Sequence, residues 1–591
     1  MRENPLVYLF SKTWKYSEGN RRKVVLFWVM FIVAEIIWVF VKPLIWARMI
    51  NMIQMQGITH ENVKTLTGLL AINLLGVLVF WMIHGPARCI EQSNAFRARI
   101  NYRRYLLRGV MTLPMEWHTD HHSGDTLDKV EKGTGALFNF SESSFEIIYA
   151  IVKLVGSYAV LIYFSRPAAY IVLAMMIVSA IITMRFDRVL IGRYKDLNHA
   201  ENRISESVFD AISNISTVII LRVERLVFGA IMRKVEEPFD LKRRTNVLNE
   251  FKWFLTNLSC AVMTALVLGI YFWQHVGTSQ GVLIGSIYLL IKYLEEISEL
   301  FSQFTSMYGD IVIRKTRMMN AEELAEDFRS ENFTNHVLPD TWHELRIEGL
   351  GFSYHESGGV SHLEGINLSL RRGERIAFVG ESGSGKTTLL KIMRDLYTPR
   401  SLRLLVDGVA IPHGFDGISR AIALIPQSPE IFTATIRENI TLGAEYDDEF
   451  IRRFTDMACL TGVIEGLPHG FDSSIKEKGV NLSGGQQQRL ALARGLLACH
   501  GKDIVLLDEP TSSLDTATEM QVYRNIFEAF TDKTVVSSIH RLHLLSLFHR
   551  IYMFAEGRIM AVGSLSELLE SCPQFQILWK QYHEQEVENV S

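Results

Sequence analysis

Six stretches of mostly apolar residues, each long enough to cross a bilayer, crowd into the first half of this 591-residue chain. They run over about 24–45, 66–83, 145–164, 168–184, 255–273 and 282–304. A helix needs about 20 such residues to span the hydrocarbon. Buried helices of a soluble protein are the other reading, and six in succession argue against it. Composition agrees: 48% hydrophobic residues beside 21% charged ones fit a membrane half joined to a soluble half.

Basic residues set the orientation. Arg21, Arg22 and Lys23 precede the first stretch. Arg88, Arg97, Arg99, Arg103, Arg104 and Arg108 follow the second, and Arg185, Arg188, Arg193 and Lys195 follow the fourth. Arg314, Lys315 and Arg317 follow the sixth. The other three connections are short and hold only Lys64, Arg166 and, between Gln274 and Gly281, no Lys or Arg. The N-terminus and the end of the sixth span are therefore expected in the cytoplasm. The two cytoplasmic connections are long and polar, with helical spacing. A structureless loop of that length is unusual, so membrane helices are expected to run on and turn back near 113–125 and 207–216. The apolar run from Val24 is too long for a signal h-region and lacks a small-residue cleavage site.

Charges inside spans are costly and are functional suspects. Glu35 and Lys42, seven apart, should share a helical face, as should Glu146 and Lys153. Lys292 can pair with Glu295 or Glu296. Glu299 has the least evident partner and is the best candidate for a cavity residue. The bland reading, mutual neutralisation between helices, stays open for all of them.

The net charge of −3 points to no nucleic-acid partner. Cys89, Cys260, Cys459, Cys499 and Cys572 are scattered, odd in number and without metal-ligand spacing, so they read as isolated thiols. The expected organisation is a transmembrane domain over 1–319, a linker over 320–342, and an α/β domain over 343–591 in which strand and helix patterns alternate.

Gly380-Glu381-Ser382-Gly383-Ser384-Gly385-Lys386-Thr387 fits G-x-x-x-x-G-K-[ST]. It lies between the predicted strand 375–379 and a helix opening at Thr388. Its glycines let backbone N–H groups turn toward one anion, and the helix N-terminus adds positive potential. Lys386 can reach the β- and γ-phosphates of ATP, and Thr387 can ligate Mg²⁺. The run Ile504–Glu509 reads as a buried strand ending in two acids. Asp508 is placed to hold Mg²⁺ through water, and Glu509 to polarise the attacking water.

Asn481-Leu482-Ser483-Gly484-Gly485-Gln486, about twenty residues before the acidic strand, resembles the signature sequence of the ATP-binding cassette (ABC) superfamily. That resemblance implies that Ser483, Gly484, Gly485 and Gln486 face the γ-phosphate bound by a second cassette. Tyr354 then resembles the aromatic that stacks on adenine. Gln427 resembles the glutamine that touches Mg²⁺ and water and senses the membrane domain. Asp515, in Ser513-Leu514-Asp515, resembles the loop that crosses the dimer interface, and His540 the switch histidine on the γ-phosphate.

Membrane domain before cassette and long cytoplasmic extensions resemble the exporter-type half-transporters. Ser123-Gly124-Asp125 resembles the element that docks on the cassettes, and Glu477, ahead of Gly479, the acid that contacts those loops. Lys476 departs from the usual glycine. No ATP-site residue departs from the active pattern, which favours a homodimer over pairing with a homologous half-transporter. The family implies ATP and Mg²⁺ as cofactors and alternating access as mechanism, with surrounding lipid and an unidentified cargo as partners. Inward transport of a metal chelate and an ATP-gated channel or regulatory subunit stay open, while the six spans weigh against a soluble ABC ATPase. No peptidase-like domain precedes the first span, so leader-peptide cleavage is not expected. The compact length fits a bacterial inner membrane, with N-terminus and cassette in the cytoplasm.

Overall fold

The computed structural model describes residues 4–121, 123–276, 283–328, 338–339, 341–354, 362–428, 430–475 and 482–590; at 302, 305, 306 and 583–590 it describes backbone alone. Lys476, Glu477, Gly479 and Asn481 lie outside the described residues. The chain divides into two compact units, Met1–Leu113 with His121–Arg329, and Pro114–Asp120 with Ser330–Ser591.

The first unit is helical. Helix α1 spans Pro5–Tyr16, opened by Pro5 and by Asn4, whose side chain accepts from the Leu6 N–H. Helix α2 (Arg21–Ile36) passes through a π-helical turn, Ile37–Val41, into α3 (Lys42–Gln56). Helix α4 (Val63–Met111) runs 49 residues and α8 (Arg166–Ser213) runs 48. Between them lie α5 (Met115–Asp120), α6 (Ser123–Glu142) and α7 (Ser144–Phe164). Helices α9 (Ile215–Ile220) and α10 (Glu224–Glu236) lead to α11 (Phe239–Gln274) and α12 (Ile284–Glu323).

The first reversal falls where the sequence places it, between α4 and α6. The second overlaps the expected 207–216 and runs past it: α8 ends at Ser213, α10 opens at Glu224, and Lys234 donates to Ser207 Oγ across the reversal at 2.6 Å. Helix α5 belongs to the second unit, whereas Ser123–Asp125 opens α6 in the first.

Five described segments are long and apolar enough to span a membrane: Arg21–Gln56, Val63–Met111, Ser144–Phe164, Arg166–Ser213 and Glu224–Gln274. The sixth expected span, on α12, is interrupted by Lys292, Glu295, Glu296 and Glu299. It still packs into the helical unit. Its first N–H groups, at Ile284 and Gly285, donate to Gln54 Oε1 at 2.7 Å and Asn51 Oδ1 at 2.8 Å on α3. A Cβ at Gly285 would stand 2.3 Å from the Ala47 carbonyl oxygen, so only glycine permits that approach. Tyr293, Leu294 and Ile297 are fully buried.

The intramembrane charges pair differently from expectation. The π turn lies between Glu35 and Lys42 and widens the helix there, so the seven-residue spacing no longer sets a common face. Glu35 is buried, while Lys42 stacks over the Trp38 ring at 4.1 Å. Glu146 is exposed and Lys153 turns instead to Glu299, 3.1 Å away. Glu299 is therefore paired. Lys292 stands 3.9 Å from both Glu295 and Glu296, as its spacing implies.

The second unit is α/β. Its strands are β1 (Glu344–Phe352), β2 (Leu363–Arg371), β3 (Arg375–Val379), β4 (Ser401–Val406) and β5 (Val409–Ala410). They continue with β6 (Ile422–Ile425), β7 (Ile504–Asp508), β8 (Thr534–Ser538), β9 (Arg550–Ala555) and β10 (Arg558–Gly563). An antiparallel sheet orders them β2-β1-β4-β5, and a second sheet orders them β10-β9-β3-β8-β7-β6. Strands β9, β3, β8, β7 and β6 are parallel neighbours. All five residues of β7 and of β8 are buried, as an inner parallel strand requires. The helices are α13 (Lys386–Met393), α14 (Ile436–Thr441), α15 (Asp448–Met457), α16 (Thr461–Glu465), α17 (Gly484–Ala498), α18 (Thr516–Ala529), α19 (Leu565–Ser571) and α20 (Pro573–Val590). The C-terminal ends of β3, β7, β8 and β6 open on one edge, where an open parallel sheet places its ligand.

Candidate functional site

The loop between β3 and α13 turns on three glycines with positive φ: Gly380 at +148°, Gly383 at +82° and Gly385 at +103°. A Cβ at Gly380 would lie 2.2 Å from the Phe554 carbonyl oxygen, and one at Gly385 would lie 2.5 Å from Leu363 Cδ2. Side chains are excluded there, and backbone is free to close around an anion. Lys386 is buried, and its Nζ donates to the carbonyls of Gly380 at 2.7 Å and Glu381 at 3.0 Å. Burial pushes its pKa down, and Glu509 and Asp508 pull it back up. The ammonium is thus held inside the loop, where phosphate oxygens would replace the carbonyls. Ser384, also buried, stands 3.4 Å from the same Nζ. Glu381 and Ser382 are exposed at the loop's crest.

Thr387 Oγ1 donates to Asp508 Oδ1 at 2.9 Å, and Ser538 Oγ donates to the same oxygen at 2.8 Å. The Glu509 N–H donates to Ser538 Oγ at 3.0 Å. Gln427 Nε2 donates to Glu509 Oε2 at 2.7 Å, and His540 Nε2 lies 2.5 Å from Glu509 Oε1. The ends of β6, β7 and β8 and the start of α13 thus join Thr387, Asp508, Glu509, Gln427 and His540 in one network. Glu509 holds φ of +45°, a left-handed conformation uncommon outside glycine and typical of functional turns. The donor set of Thr387 hydroxyl, Asp508 carboxylate and Gln427 amide is all oxygen, which suits a hard cation such as Mg²⁺.

Tyr354 is partly exposed, and its hydroxyl lies 3.2 Å from Thr388 Oγ1. Edge contacts with Phe352 at 4.8 Å and Tyr397 at 5.2 Å hold its ring beside the loop. A base can stack there.

The signature segment forms a different set. Ser483 caps α17 in a capping box with Gln486, each side chain bonding the other's backbone N–H. Gln488 is buried; it donates to Ser512 Oγ at 3.0 Å and accepts from the Ser513 N–H at 2.8 Å. A Cβ at Gly485 would meet the Ser513 carbonyl oxygen at 3.4 Å, while Gly484 has open space around it. Asp515 caps α18, accepting from the Thr518 N–H at 3.0 Å, and the Thr518 hydroxyl and N–H hold its carboxyl below the usual carboxylate range. Within one chain, Asp515 is thus a cap.

Three residues here go unmarked in the sequence reading. Gln488 clamps the signature helix to the loop after β7. Ser538 links Asp508 to Glu509. Glu519, buried, accepts from Thr511 at 2.6 Å and from Arg541 at 3.2 Å, bracing the loop after β7 against the segment after His540. The Gln486-Gln487-Gln488 run carried a signal for the first, since successive helical residues point about 100° apart and one of three must face inward.

A nucleotide-binding cassette with an acid poised at its strand end, fused to a helical membrane region, defines an ATP-hydrolysing transport protein. The profile described as "ABC transporter transmembrane region" matches residues 25–294, and that described as "ABC transporter" matches 363–512. Between them they take in both halves, and the chain is an ABC half-transporter: a transmembrane region followed by one ATP-binding cassette. The iron-sulfur clusters transporter ATM1, mitochondrial, of Candida glabrata is 28% identical over 81% of this chain and 67% of its own. The glutathione/L-cysteine transport system ATP-binding/permease protein CydD of Bacillus subtilis is 28% identical over 86% and 89%. A solved bacterial Atm1-family ABC exporter with ATP bound superposes with a TM-score of 0.83 at 21% identity, covering 95% of this chain and 98% of that one, a likeness of fold.

Proposed function

We propose that two copies of this chain pair in a bacterial inner membrane and move cargo out of the cytoplasm by alternating access. The length of the helices carries this reading. Helices α4 and α8 have 49 and 48 residues, more than twice the roughly 20 a bilayer needs. At about 1.5 Å per residue each reaches some 70 Å, so closure of paired cassettes has levers long enough to act on the membrane segments.

Six crossings fit better than five. Five would leave the basic N-terminus and the cassette on opposite sides of the membrane. The contacts of α12 with α3 support a sixth crossing despite its charges. The N-terminus and the cassette then both lie in the cytoplasm.

Pairing follows from how Ser483, Gln486 and Gln488 are used. Their hydrogen bonds fix the N-terminus of α17 beside the loop after β7, and the Ser483 capping box aims that terminus outward. A helix N-terminus so presented binds an anion. The γ-phosphate held by the P-loop of a second copy is the anion it fits, and Asp515 then lies at the junction. Intact Glu509, His540 and signature residues make an identical partner sufficient.

Lys386 and the loop N–H groups hold the phosphates. Thr387, Asp508 and Gln427 would hold Mg²⁺, which neutralises phosphate charge. Glu509, oriented through both oxygens by Gln427 and His540, directs the attacking water and accepts its proton. Tyr354 stacks on the base. ATP shifts the transporter only by binding the closed pair more tightly than the open one.

The relatives named above are called transporters of iron-sulfur clusters and of glutathione or L-cysteine. The two names give different cargoes, and at 28% identity to both this chain shares their architecture. ATP-driven movement into inside-out vesicles tests the direction. Accumulation supports export; uptake only into right-side-out vesicles would establish inward transport, and ATP-dependent single-channel currents a channel.

A further inference from the structure

Charge is out of balance in one part of the helical unit. Glu35 on α2, Lys153 on α7, and Lys292, Glu295, Glu296 and Glu299 on α12 bring four carboxylates against two ammonium groups. Both ammonium groups are engaged. Lys153 lies 3.1 Å from Glu299, and Lys292 divides itself between Glu295 and Glu296 at 3.9 Å. Glu296 also accepts from Ser157 at 3.3 Å. Glu35 is left over. It is 1% exposed, and neither carboxylate oxygen meets a hydrogen-bond partner. Tyr149 stands beside it without a hydrogen bond of good geometry, and the charge of Lys153, which is paired with Glu299, also acts on it.

A buried carboxylate with no donor is expensive. Glu295 and Glu299, by contrast, keep about two-thirds of their side-chain surface exposed at 64% and 65%. Carboxylates in the middle of an apolar span do not face lipid; they face water or protein. The same face of α12 therefore borders a polar pathway, and Glu35 lies beneath its edge. Aromatic rings share the region: Tyr149, with Lys153 5.8 Å over its ring, and the buried Tyr293. Ring faces attract cations and accept apolar bodies together. Among the described residues, no three His, Cys, Asp or Glu side chains converge closely enough to hold a metal ion.

We propose that Glu35, with Glu296 and Glu299, forms a cargo site for an organic cation with an apolar body. The site rests on the transporter reading above and narrows its cargo. The cation supplies Glu35 with a counter-charge of its own where Lys153 is shared with Glu299, and Tyr149 packs its apolar part. Lys153 and Lys292 set the balance: each is a built-in competitor for the same carboxylates.

Tetraphenylphosphonium and tetraphenylborate, alike in shape and opposite in charge, test this by equilibrium dialysis against the full chain in lipid nanodiscs, with empty nanodiscs as blank. The cation should be retained at least about tenfold more tightly than the anion, and Glu35→Gln should abolish that preference. Lys292→Gln should raise cation binding several-fold, a gain that misfolding cannot imitate. Equal retention of both ions by the wild-type chain, or full cation binding by a folded Glu35→Gln variant, overturns the proposal. Should Glu35→Gln fail to fold, the wild-type preference and the Lys292→Gln gain decide it. Dialysis needs no turnover, so this result is independent of the transport reading, which ATPase activity tests separately against the Glu509→Gln blank.

Discussion

In the cassette, the Glu509 carboxylate accepts from Gln427 at 2.7 Å and meets His540 at 2.5 Å; in the helical unit, neither oxygen of Glu35 meets a donor. The first acid is oriented before any substrate arrives. Such preorganisation suits a group that must direct one water along one line, because nothing has to reorganise when charge develops. The second acid has no complete hydrogen bond from its own chain and only a shared Lys153 nearby, which suits a group whose counter-charge comes and goes. On the proposed reading the same side chain serves chemistry in one unit and recognition in the other. What separates the two roles is how many neighbouring donors the fold supplies.

The comparison breaks most readily at Glu509. Changing it to Gln should cut phosphate release by about a thousandfold while ATP still binds. Turnover near the wild-type rate would remove Glu509 from the mechanism and leave the two acids alike.

Next comes the buried pair Asp187–Lys252, at 3.0 Å between α8 and α11, where the helical unit does compensate its charge. Lys252→Met leaves Asp187 alone and should cost about 3–5 kcal/mol in denaturant unfolding, with the Asp187→Leu double variant restoring most of it. An unchanged midpoint would show that this unit tolerates unpaired acids in general, and Glu35 would lose its distinction.

Gln488→Leu sharpens the cassette side. It removes both bonds to Ser512 and Ser513 and should cost about 1–3 kcal/mol. Phosphate release should fall while ATP affinity holds, because the clamp acts on the signature helix and spares the P-loop. Equal loss of affinity would contradict that division.

The smallest effect belongs to Ser564, which forms a capping box with Glu567. Ser564→Ala should cost about 1 kcal/mol. The Ser564 N–H holds the Glu567 carboxyl below its ordinary value. Its contribution is therefore complete above the usual glutamate range and fades as pH falls through the lowered value. Acid unfolding of Glu567→Gln should lack that limb.

Most of the ATP site was legible because each part sits at a fixed offset from a strand end. Lys386 and Thr387 follow β3, Asp508 and Glu509 close β7, His540 follows β8, and Gln427 follows β6. Parallel pairing of those strands then brings the four ends together without further information. Asp515 was harder, since the same carboxylate can cap a helix or meet a partner, and within one chain it caps α18. The intramembrane charges were the least legible. Their spacing assumed regular helix, and the π turn at Ile37–Val41 breaks that regularity; the signal was Pro43, whose missing N–H frees the Val39 carbonyl, which accepts instead from the Tyr293 hydroxyl at 3.2 Å. Lys153 and Glu299 lie 146 positions apart, so helix packing decided their pairing, which spacing within a helix could not reveal. The sixth expected span, on α12, is set apart from the other five by its four charges.

Complementation between two silent variants tests the shared ATP site most directly. One variant carries Lys386→Ala, the other Ser483→Arg, so each alone leaves every composite site with one defect. Co-purified mixed pairs bring an intact Lys386 opposite an intact Ser483 in one of their two sites. Activity in the mixed pairs, with none in either variant alone, is the result expected. Mixed pairs as silent as their parents would contradict the sharing of ATP between two copies.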